Sequence, residues 1–182
     1  MIYIFFATGT EEIEALATVD ILRRAGLEVQ LVSITGELTV NGSHNIQVVC
    51  DTMVEDIDVS KARLLVLPGG LPGSTNLAAH PLVNKAVLAH AAQGRMVAAI
   101  CAAPLVLGRL GLLQGHRATC YPGVEDELTG ATYTAALVEH DGQFVTGKGP
   151  AAVFEFSYTL VELLKDKATA DALRNGMLWS EV

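Results

Sequence analysis

A cysteine flanked only by apolar residues follows a short apolar run near the middle of the chain. In the stretch from Ala98 to Pro104, Cys101 stands where a predicted strand passes into a predicted helix. A side chain at such an elbow projects beyond the sheet edge, and the unpaired N–H groups of the following helix surround it. Those amides and the helix dipole favour a thiolate, so we predict a lowered Cys101 pKa and an activated nucleophile. A small cysteine buried in the core is the alternative that this elbow leaves open.

Two further junctions follow apolar runs, where an open α/β sheet binds its ligands. Glu14 lies beside the predicted buried stripe of the first helix, where apolar neighbours would raise its pKa and let it donate a hydrogen bond or act as an acid or base. Glu11 and Glu12 fit a solvated face that compensates the helix dipole. The Gly69-Gly70 pair lets backbone approach a ligand closely, although an ordinary tight turn is the alternative.

The other candidate ligands are scattered. The histidines are His44, His80, His90, His116 and His140. No pair of them has the spacing of metal ligands on one helix or strand, so we predict no metal site. Cys50 and Cys120 lie in or beside apolar runs and are predicted to be packing residues.

Composition limits the partners. The chain has 182 residues, 12 Lys and Arg against 20 Asp and Glu, a net charge of −8 and a pI near 5.0. This balance argues against nucleic acid and anionic membrane surfaces as partners. Mean hydropathy is +0.39, yet no uncharged stretch reaches the roughly 18 residues of a membrane span. Three cysteines without ligand spacing favour free thiols in a reducing cytoplasm.

Short apolar runs alternate with helical patterns along the whole chain. Strands are predicted at residues 2–7, 29–34, 64–67, 96–100 and 144–146, and helices at about residues 11–25, 82–93, 102–111, 151–165 and 168–175. In the first helix, Thr8 and Glu11 are spaced as a capping box, and the predicted buried face carries Ile13, Leu16, Ala17 and Ile21. This alternation predicts one α/β domain over residues 1–182 with a doubly wound, mostly parallel sheet.

One segment departs from that alternation. Residues 38–49 place Asn41-Gly42 between two β-rich runs. An Asn-Gly pair in this setting is a strong signal for a hairpin. We therefore predict a small antiparallel excursion at one edge of the sheet.

Five motifs taken together are more specific than any one of them. They are Thr10-Glu-Glu-Ile-Glu14, Val66-Leu-Pro-Gly-Gly70, Ala98-Ala-Ile-Cys-Ala-Ala-Pro104, Gly147-Lys-Gly-Pro150 and Phe154-Glu-Phe156, in that order. Over nearly its whole length the chain resembles the ThiJ/PfpI superfamily, in the branch of the parkinsonism-associated protein deglycase. The resemblance implies a flavodoxin-like three-layer sandwich and a homodimer.

The resemblance also implies roles for single residues. Cys101 matches the nucleophile and oxidisable thiol, and Glu14 matches its protonated hydrogen-bond partner. The N–H groups of Gly70 and Ala102 match an oxyanion pocket. The hairpin carrying His44 resembles a segment that meets the partner subunit near the site, on a surface that includes Cys50. Gly69, Tyr121 and His44 are weaker candidates for the substrate pocket.

The activities implied are glyoxalase activity on 2-oxoaldehydes such as methylglyoxal, deglycation of their protein adducts, or oxidative-stress sensing and chaperoning, all without an organic cofactor. Two departures of this chain from the family pattern bear on these activities. The protease-like branch has a histidine after the cysteine, where this chain has Ala102, which argues against peptidase or amidotransferase activity. Some deglycase-branch members have a histidine where this chain has Tyr121, and a phenol with a pKa near 10 is a poor base at neutral pH.

Overall fold

A computed structural model describes residues 1–179 of the chain. Its strands are β1 Ile2–Phe6, β2 Val29–Ser33, β3 Thr39–Asn41, β4 Gln47–Val49, β5 Thr52–Met53, β6 Leu64–Leu67, β7 Met96–Ile100, β8 Arg117–Ala118, β9 Thr132–Tyr133, β10 Val138–Asp141 and β11 Phe144–Gly147. Its α-helices are α1 Glu12–Arg24, α2 Gly73–Ala79, α3 Pro81–Ala91, α4 Pro104–Arg109, α5 Val153–Leu164 and α6 Lys167–Gly176.

The central sheet has seven strands in the order β10-β11-β7-β6-β1-β2-β5. All neighbours pair in parallel except β10 with β11, which is an antiparallel edge. Side chains alternate along β1: Ile4 joins a core with α1, α5 and α6, and Phe5 joins a second core with α2, α3 and α4. Helices therefore cover both faces of the sheet, which confirms the predicted flavodoxin-like three-layer sandwich.

The five predicted strands are confirmed as β1, β2, β6, β7 and β11. The helices differ at their ends. The third predicted helix, which is α4 in the structure, begins at Pro104 and not near Ala102, because residues 101–103 form a turn before it. The carboxyl ends of β1, β6 and β7 lie at one edge of the sheet, and this edge carries all three junctions that the sequence singled out.

The predicted buried face of α1 is right for Ile21, which is buried, and partly for Ala17, which is half-buried, but wrong for the first two turns. Ile13 and Leu16 are exposed there, whereas Glu12, Glu14 and Ala15 are buried. The predicted capping box is also wrong, because Glu11 is the N-cap and its carboxylate accepts the N–H of Glu14 at 2.8 Å. The helix is turned so that its apolar residues on one side face outward and its carboxylates face the sheet edge.

The predicted hairpin is present as the antiparallel pair β3 and β4, in a separate two-stranded sheet. Asn41 pairs with Gln47, so residues 42–46 form the turn and Asn41 ends the strand. The hairpin lies over the loop between β1 and α1, where the Gly9 N–H donates to the Asn41 carbonyl at 3.0 Å. It therefore covers the first helical turn and does not extend the central sheet.

The helices are too short or too polar to cross a bilayer. Within residues 1–179, no helix has the length and continuous apolar character that a membrane span requires.

Candidate active site

Cys101 occupies a strained backbone position directly after β7. Its φ of 63° lies in the left-handed region, which residues with a side chain seldom adopt. The Cys101 N–H donates to the Gly147 carbonyl at 2.8 Å, and the Cys101 carbonyl accepts the Tyr121 N–H at 2.8 Å. These two bonds hold the elbow, and Cys101 as a residue is 7% exposed. The geometry is that of a nucleophile elbow.

Glu14 projects from the first turn of α1 into the protein and is 0% exposed. Its Oε2 accepts the Gly69 N–H at 2.8 Å. Within residues 1–179, its buried Oε1 has no hydrogen-bond partner. An unpartnered buried carboxylate oxygen is costly when charged, so this oxygen is a natural place for a proton.

Gly69 is the point where the three junctions meet. A Cβ built on Gly69 would stand 2.5 Å from the Cys101 Cβ and 2.5 Å from Glu14 Oε2. It would also stand 2.9 Å from the Ile100 carbonyl oxygen. Only glycine therefore lets Glu14 and Cys101 approach each other here. The structure thus brings Glu14 and Cys101 together, a contact that their positions in the sequence could not reveal.

Each member of the pair changes the acidity of the other. Burial raises the Glu14 pKa to about 7, as the sequence predicted in direction. Burial and the charge of Glu14 raise the Cys101 pKa to about 12. The predicted lowering of the Cys101 pKa is therefore wrong, because burial and the neighbouring Glu14 outweigh the backbone donors around the sulfur. Two anions this close are unfavourable, so the pair keeps one proton near neutral pH.

Two backbone donors face the thiol and partly offset that effect. The N–H groups of Gly70 and Ala102 both lower the Cys101 pKa. Gly70 has a φ of 89°, and a Cβ there would collide with the Glu11 nitrogen and approach the Gly9 carbonyl oxygen. This conformation turns the Gly70 N–H toward the sulfur. Paired backbone N–H donors of this kind are the usual components of an oxyanion pocket.

Glu12 is not on a solvated face, as the sequence indicated, but is buried under the hairpin. Its Oε1 accepts the His44 N–H at 2.8 Å, and its Oε2 lies 2.8 Å from His44 Nδ1 and 3.0 Å from Ser43 Oγ. Burial would raise the Glu12 pKa, but these hydrogen bonds lower it to about 2. His44 thus contacts α1 two residues from Glu14, and its own side chain is exposed.

Three potential ligand atoms also meet at this contact. Oxygens of Glu11 and Glu12 and a nitrogen of His44 lie within 4.8 Å of one another. The spacing argument missed this group because a helix and a hairpin contribute to it. These side chains already have partners within the protein: Glu11 caps α1, and Glu12 accepts from His44 and Ser43.

Tyr121 borders the site through its backbone and a neighbouring hollow. Its ring packs over Gly149, where an added Cβ would stand 3.2 Å from the ring. Together with Pro122, Leu137 and Lys148, it lines an apolar hollow of about 220 Å³. Tyr121 is about half exposed, and it is not among the groups that shift the Glu14 pKa.

Sequence reasoning missed the residues that hold Glu14 from behind. Thr18 Oγ1 donates to the Glu14 carbonyl at 2.7 Å, and Ser157 Oγ of α5 donates to Thr18 Oγ1 at 3.2 Å. The four-residue step from Glu14 to Thr18 was a usable signal, because a helical threonine often bonds to the carbonyl four residues earlier. No comparable signal in the sequence pointed to the contact between Thr18 and Ser157.

Comparison with known proteins agrees with this geometry. The model of the DJ-1/PfpI family matches residues 1–163. The chain belongs to the DJ-1/PfpI family. Among curated DJ-1/PfpI relatives, it is 44% identical over 166 residues to Protein DJ-1 homolog B of Arabidopsis thaliana, covering 90% of this chain and 38% of that protein. The chain thus spans well under half the length of that relative.

Two further DJ-1/PfpI proteins are similar over most of their length. The chain is 32% identical over 165 residues to a Caenorhabditis elegans protein named glutathione-independent glyoxalase DJR-1.2, covering 90% of this chain and 87% of that protein. The solved structure of oxidized Toxoplasma gondii DJ-1 superposes with a TM-score of 0.94 at 32% identity, covering 97% of each chain. Neighbours of this family share the flavodoxin-like sandwich described above.

Proposed function

We propose that the chain is a cysteine-dependent glyoxalase of the deglycase type, which converts 2-oxoaldehydes such as methylglyoxal, or their adducts on proteins, into 2-hydroxy acids. The observation that carries this proposal is the buried Glu14 carboxyl next to the Cys101 thiol at Gly69. A base with a pKa near the working pH is the most effective proton carrier, and the Glu14 pKa is about 7.

The first step joins the thiol to the aldehyde. Cys101 Sγ bonds to the aldehyde carbon while its proton passes to Glu14, so no free thiolate has to form in the buried site. The aldehyde oxygen becomes an oxyanion that the N–H groups of Gly70 and Ala102 stabilise. Glu14 then returns the proton to that oxygen, which gives a hemithioacetal.

The second stage is a proton transfer between adjacent carbons. Glu14 removes the proton from the former aldehyde carbon, and the resulting enediol receives it on the former ketone carbon. The product is a thioester of the 2-hydroxy acid, so the aldehyde carbon is oxidised and the ketone carbon reduced within one molecule. Water hydrolyses the thioester and restores the Cys101 thiol. No organic cofactor takes part in this sequence.

The test is lactate formation from methylglyoxal without glutathione. We expect Cys101→Ala to abolish it and Glu14→Gln to reduce it by at least about 100-fold, a loss typical of a missing acid–base group. Cys120→Ala is the matched control, because this buried cysteine does not shift the pKa of Glu14 or Cys101 and its replacement keeps both proposed groups. Undiminished lactate formation in Cys101→Ala overturns the proposal.

A sensor function is the second candidate, and the geometry at sulfur favours it. Two hydrogen peroxide molecules oxidise the thiol to a sulfinate and leave two waters, and the N–H groups of Gly70 and Ala102 are placed to hold sulfinate oxygens. After mild peroxide, intact-mass and peptide mass spectrometry should find two added oxygens on Cys101 before Cys50 or Cys120. Equal oxidation of all three cysteines contradicts this candidate.

Peptidase or amidotransferase chemistry is less well supported. Within residues 1–179, no histidine is among the groups that shift the pKa of Cys101 or Glu14. A cysteine hydrolase of that kind needs a histidine to activate the thiol and protonate the leaving amine.

Since all three cysteines are free, we place the protein in the reducing cytoplasm as part of this proposal.

A further inference from the structure

The unpaired cations of this acidic protein are not evenly distributed. Seven of the twelve Lys and Arg residues form ion pairs with carboxylates within residues 1–179. The remaining five, judged within the same range, are Arg63, Lys85, Arg95, Lys148 and Lys165. Three of these five line two adjoining grooves at one end of the sheet: Arg63, Arg95 and Lys165. This cluster is separate from the proposed catalytic residues.

The larger of the two grooves, here named the amino-edge groove, has a volume of about 710 Å³. It lies where β6 and β7 begin and where β10 turns into β11, at the edge opposite Cys101. Its charged lining residues are Lys61, Arg63 and Arg95, and none of its lining residues within the described chain is acidic. Arg63 also lines the second groove, which adds Lys165 and one carboxylate, Glu28.

Both guanidinium groups are held by backbone oxygens that do not neutralise them. Arg95 Nη1 donates to the carbonyls of Ser60 and Ala62, at 2.8 and 3.2 Å. Arg63 Nη2 donates to the Leu164 carbonyl at 2.9 Å. Each guanidinium has five N–H donors in a fixed fork, so further donors of both remain for a ligand. The two side chains are thus fixed in position and keep their full charge.

We propose that the amino-edge groove binds a small, multiply charged phosphate-type anion, such as a diphosphate group. Guanidinium forks match the oxygens of phosphate in spacing and charge. The ligand is compact, because a net charge of −8 repels a long polyanion that extends beyond this cluster. The site goes beyond the proposed glyoxalase function and uses none of its residues.

The experiment is a calorimetric titration of the full-length protein with inorganic pyrophosphate at about 20 mM salt, supported by 31P NMR. We expect saturable binding of one pyrophosphate per chain, weakened at least about tenfold in Arg63→Gln and in Arg95→Gln, since each loses a charge-assisted hydrogen bond. Lys85→Gln is the control, because it removes an exposed, unpaired cation elsewhere and should leave the affinity unchanged.

Any of three results would overturn the proposal. The first is the lack of saturable pyrophosphate binding to the wild-type chain. The second is unchanged affinity in Arg63→Gln, a surface variant that removes no buried group, which keeps the test decisive if Arg95→Gln fails to fold. Citrate serves as the carboxylate comparison, and citrate binding as tight as pyrophosphate binding contradicts the phosphate assignment. Because Cys101 chemistry is not measured, failure here is distinguishable from failure of the glyoxalase proposal.

Discussion

Glu14 has no solvent contact, and ionising a carboxyl group in that position costs free energy. Burial raises its pKa to about 7, and the neighbouring Cys101 thiol adds a second acidic group to the same site. The site therefore accepts one negative charge more easily than two. This property makes Glu14 a proton carrier near neutral pH and also gives it a measurable effect on stability.

Glu14 should make the protein less stable as the pH rises from about 4.5 to about 7. The folded state keeps its proton in this interval, while the unfolded state, in which the carboxyl has its ordinary pKa of 4.5, releases it. The shift corresponds to a loss of up to about 3 kcal/mol in the free energy of unfolding. Urea unfolding at pH 4.5, 6 and 7.5 should show this slope in the wild type and not in Glu14→Gln. Identical slopes in the two proteins contradict the assignment.

Gly69→Ala should separate the catalytic pair. The added methyl group would collide with the Cys101 Cβ and Glu14 Oε2, and overpacking of this kind costs about 1–3 kcal/mol. We expect a lower melting temperature and at least about a tenfold loss of lactate formation from the displaced carboxyl. Gly176→Ala is the control, because its added methyl group meets nothing within 4 Å. Full activity in Gly69→Ala would falsify the close approach.

The first turn of α1 connects three structures. Glu11 caps the helix, Glu12 holds the β3–β4 hairpin, and Glu14 enters the site. These three carboxylates lie within four positions, so a change in the hairpin contact acts on the element that positions Glu14. The contact between Glu12 and His44 binds the hairpin to α1 through a buried charge.

Glu12→Gln should loosen the hairpin. The variant keeps the size of the side chain and removes the charge that accepts from the His44 N–H and side chain and from Ser43. Hydrogen exchange should become faster for residues 39–49 and stay unchanged in β7. Glu37→Gln, which changes an exposed carboxyl just before β3, is the control. Unaltered exchange in residues 39–49 means that the buried charge does not hold the hairpin.

The same contact predicts a pH window for the hairpin. The Glu12 pKa falls from 4.5 to about 2 on folding, so its contribution is present above pH 4.5 and is lost as the pH falls toward 2. The hydrogen bond that His44 donates to the Glu12 carboxylate raises the His44 pKa above 6.5, so the His44 contribution is present below 6.5 and is lost as the pH rises through the raised value. Hydrogen exchange of residues 39–49 should therefore be slowest between these two pH limits. In His44→Ala, the loss of protection at the upper pH limit should disappear.

At the scale of the whole molecule, an apolar surface lies beside the proposed active site. Ile13 of α1 is 55% exposed and Val49 of the hairpin is 71% exposed, and Leu16 and Ile46 are exposed on the same two elements. Cys50, expected on this surface, is buried in the core instead. We propose that a second copy of the chain covers this surface, as the family resemblance implied.

Val49→Glu should therefore convert a dimer into a monomer. A charge at the centre of an apolar interface would be buried without a partner in both subunits. Sedimentation equilibrium should give twice the chain mass of 19.2 kDa for the wild type and the single mass for the variant. Leu88→Glu changes an exposed leucine of α3 on the other face of the sheet and should remain dimeric. A monomeric wild type contradicts the proposal.

The sequence by itself determined five strands of the central sheet, five of the six α-helices within residues 1–179 and the elbow at Cys101, but not α2 or the edge strands β5 and β10. Continuous apolar runs such as Leu64–Leu67 need burial on both faces, and a parallel sheet between helix layers provides it. The carboxyl edge of that sheet was therefore the expected place for chemistry. Glu14, Gly69 and Cys101 were singled out on this ground, although their distances were not determined.

Only the tertiary structure decided which side of α1 is buried and what the neighbours do to each pKa. The periodicity of Ile13 and Leu16 is the same whether an apolar face meets the core or an exposed surface, so burial of Glu14 was underdetermined. The Cys101 pKa depends on desolvation and on the charge of a residue 87 positions away, and sequence separation carries no information about either. Local pattern fixes the elements, whereas electrostatics depends on distances that exist only after folding.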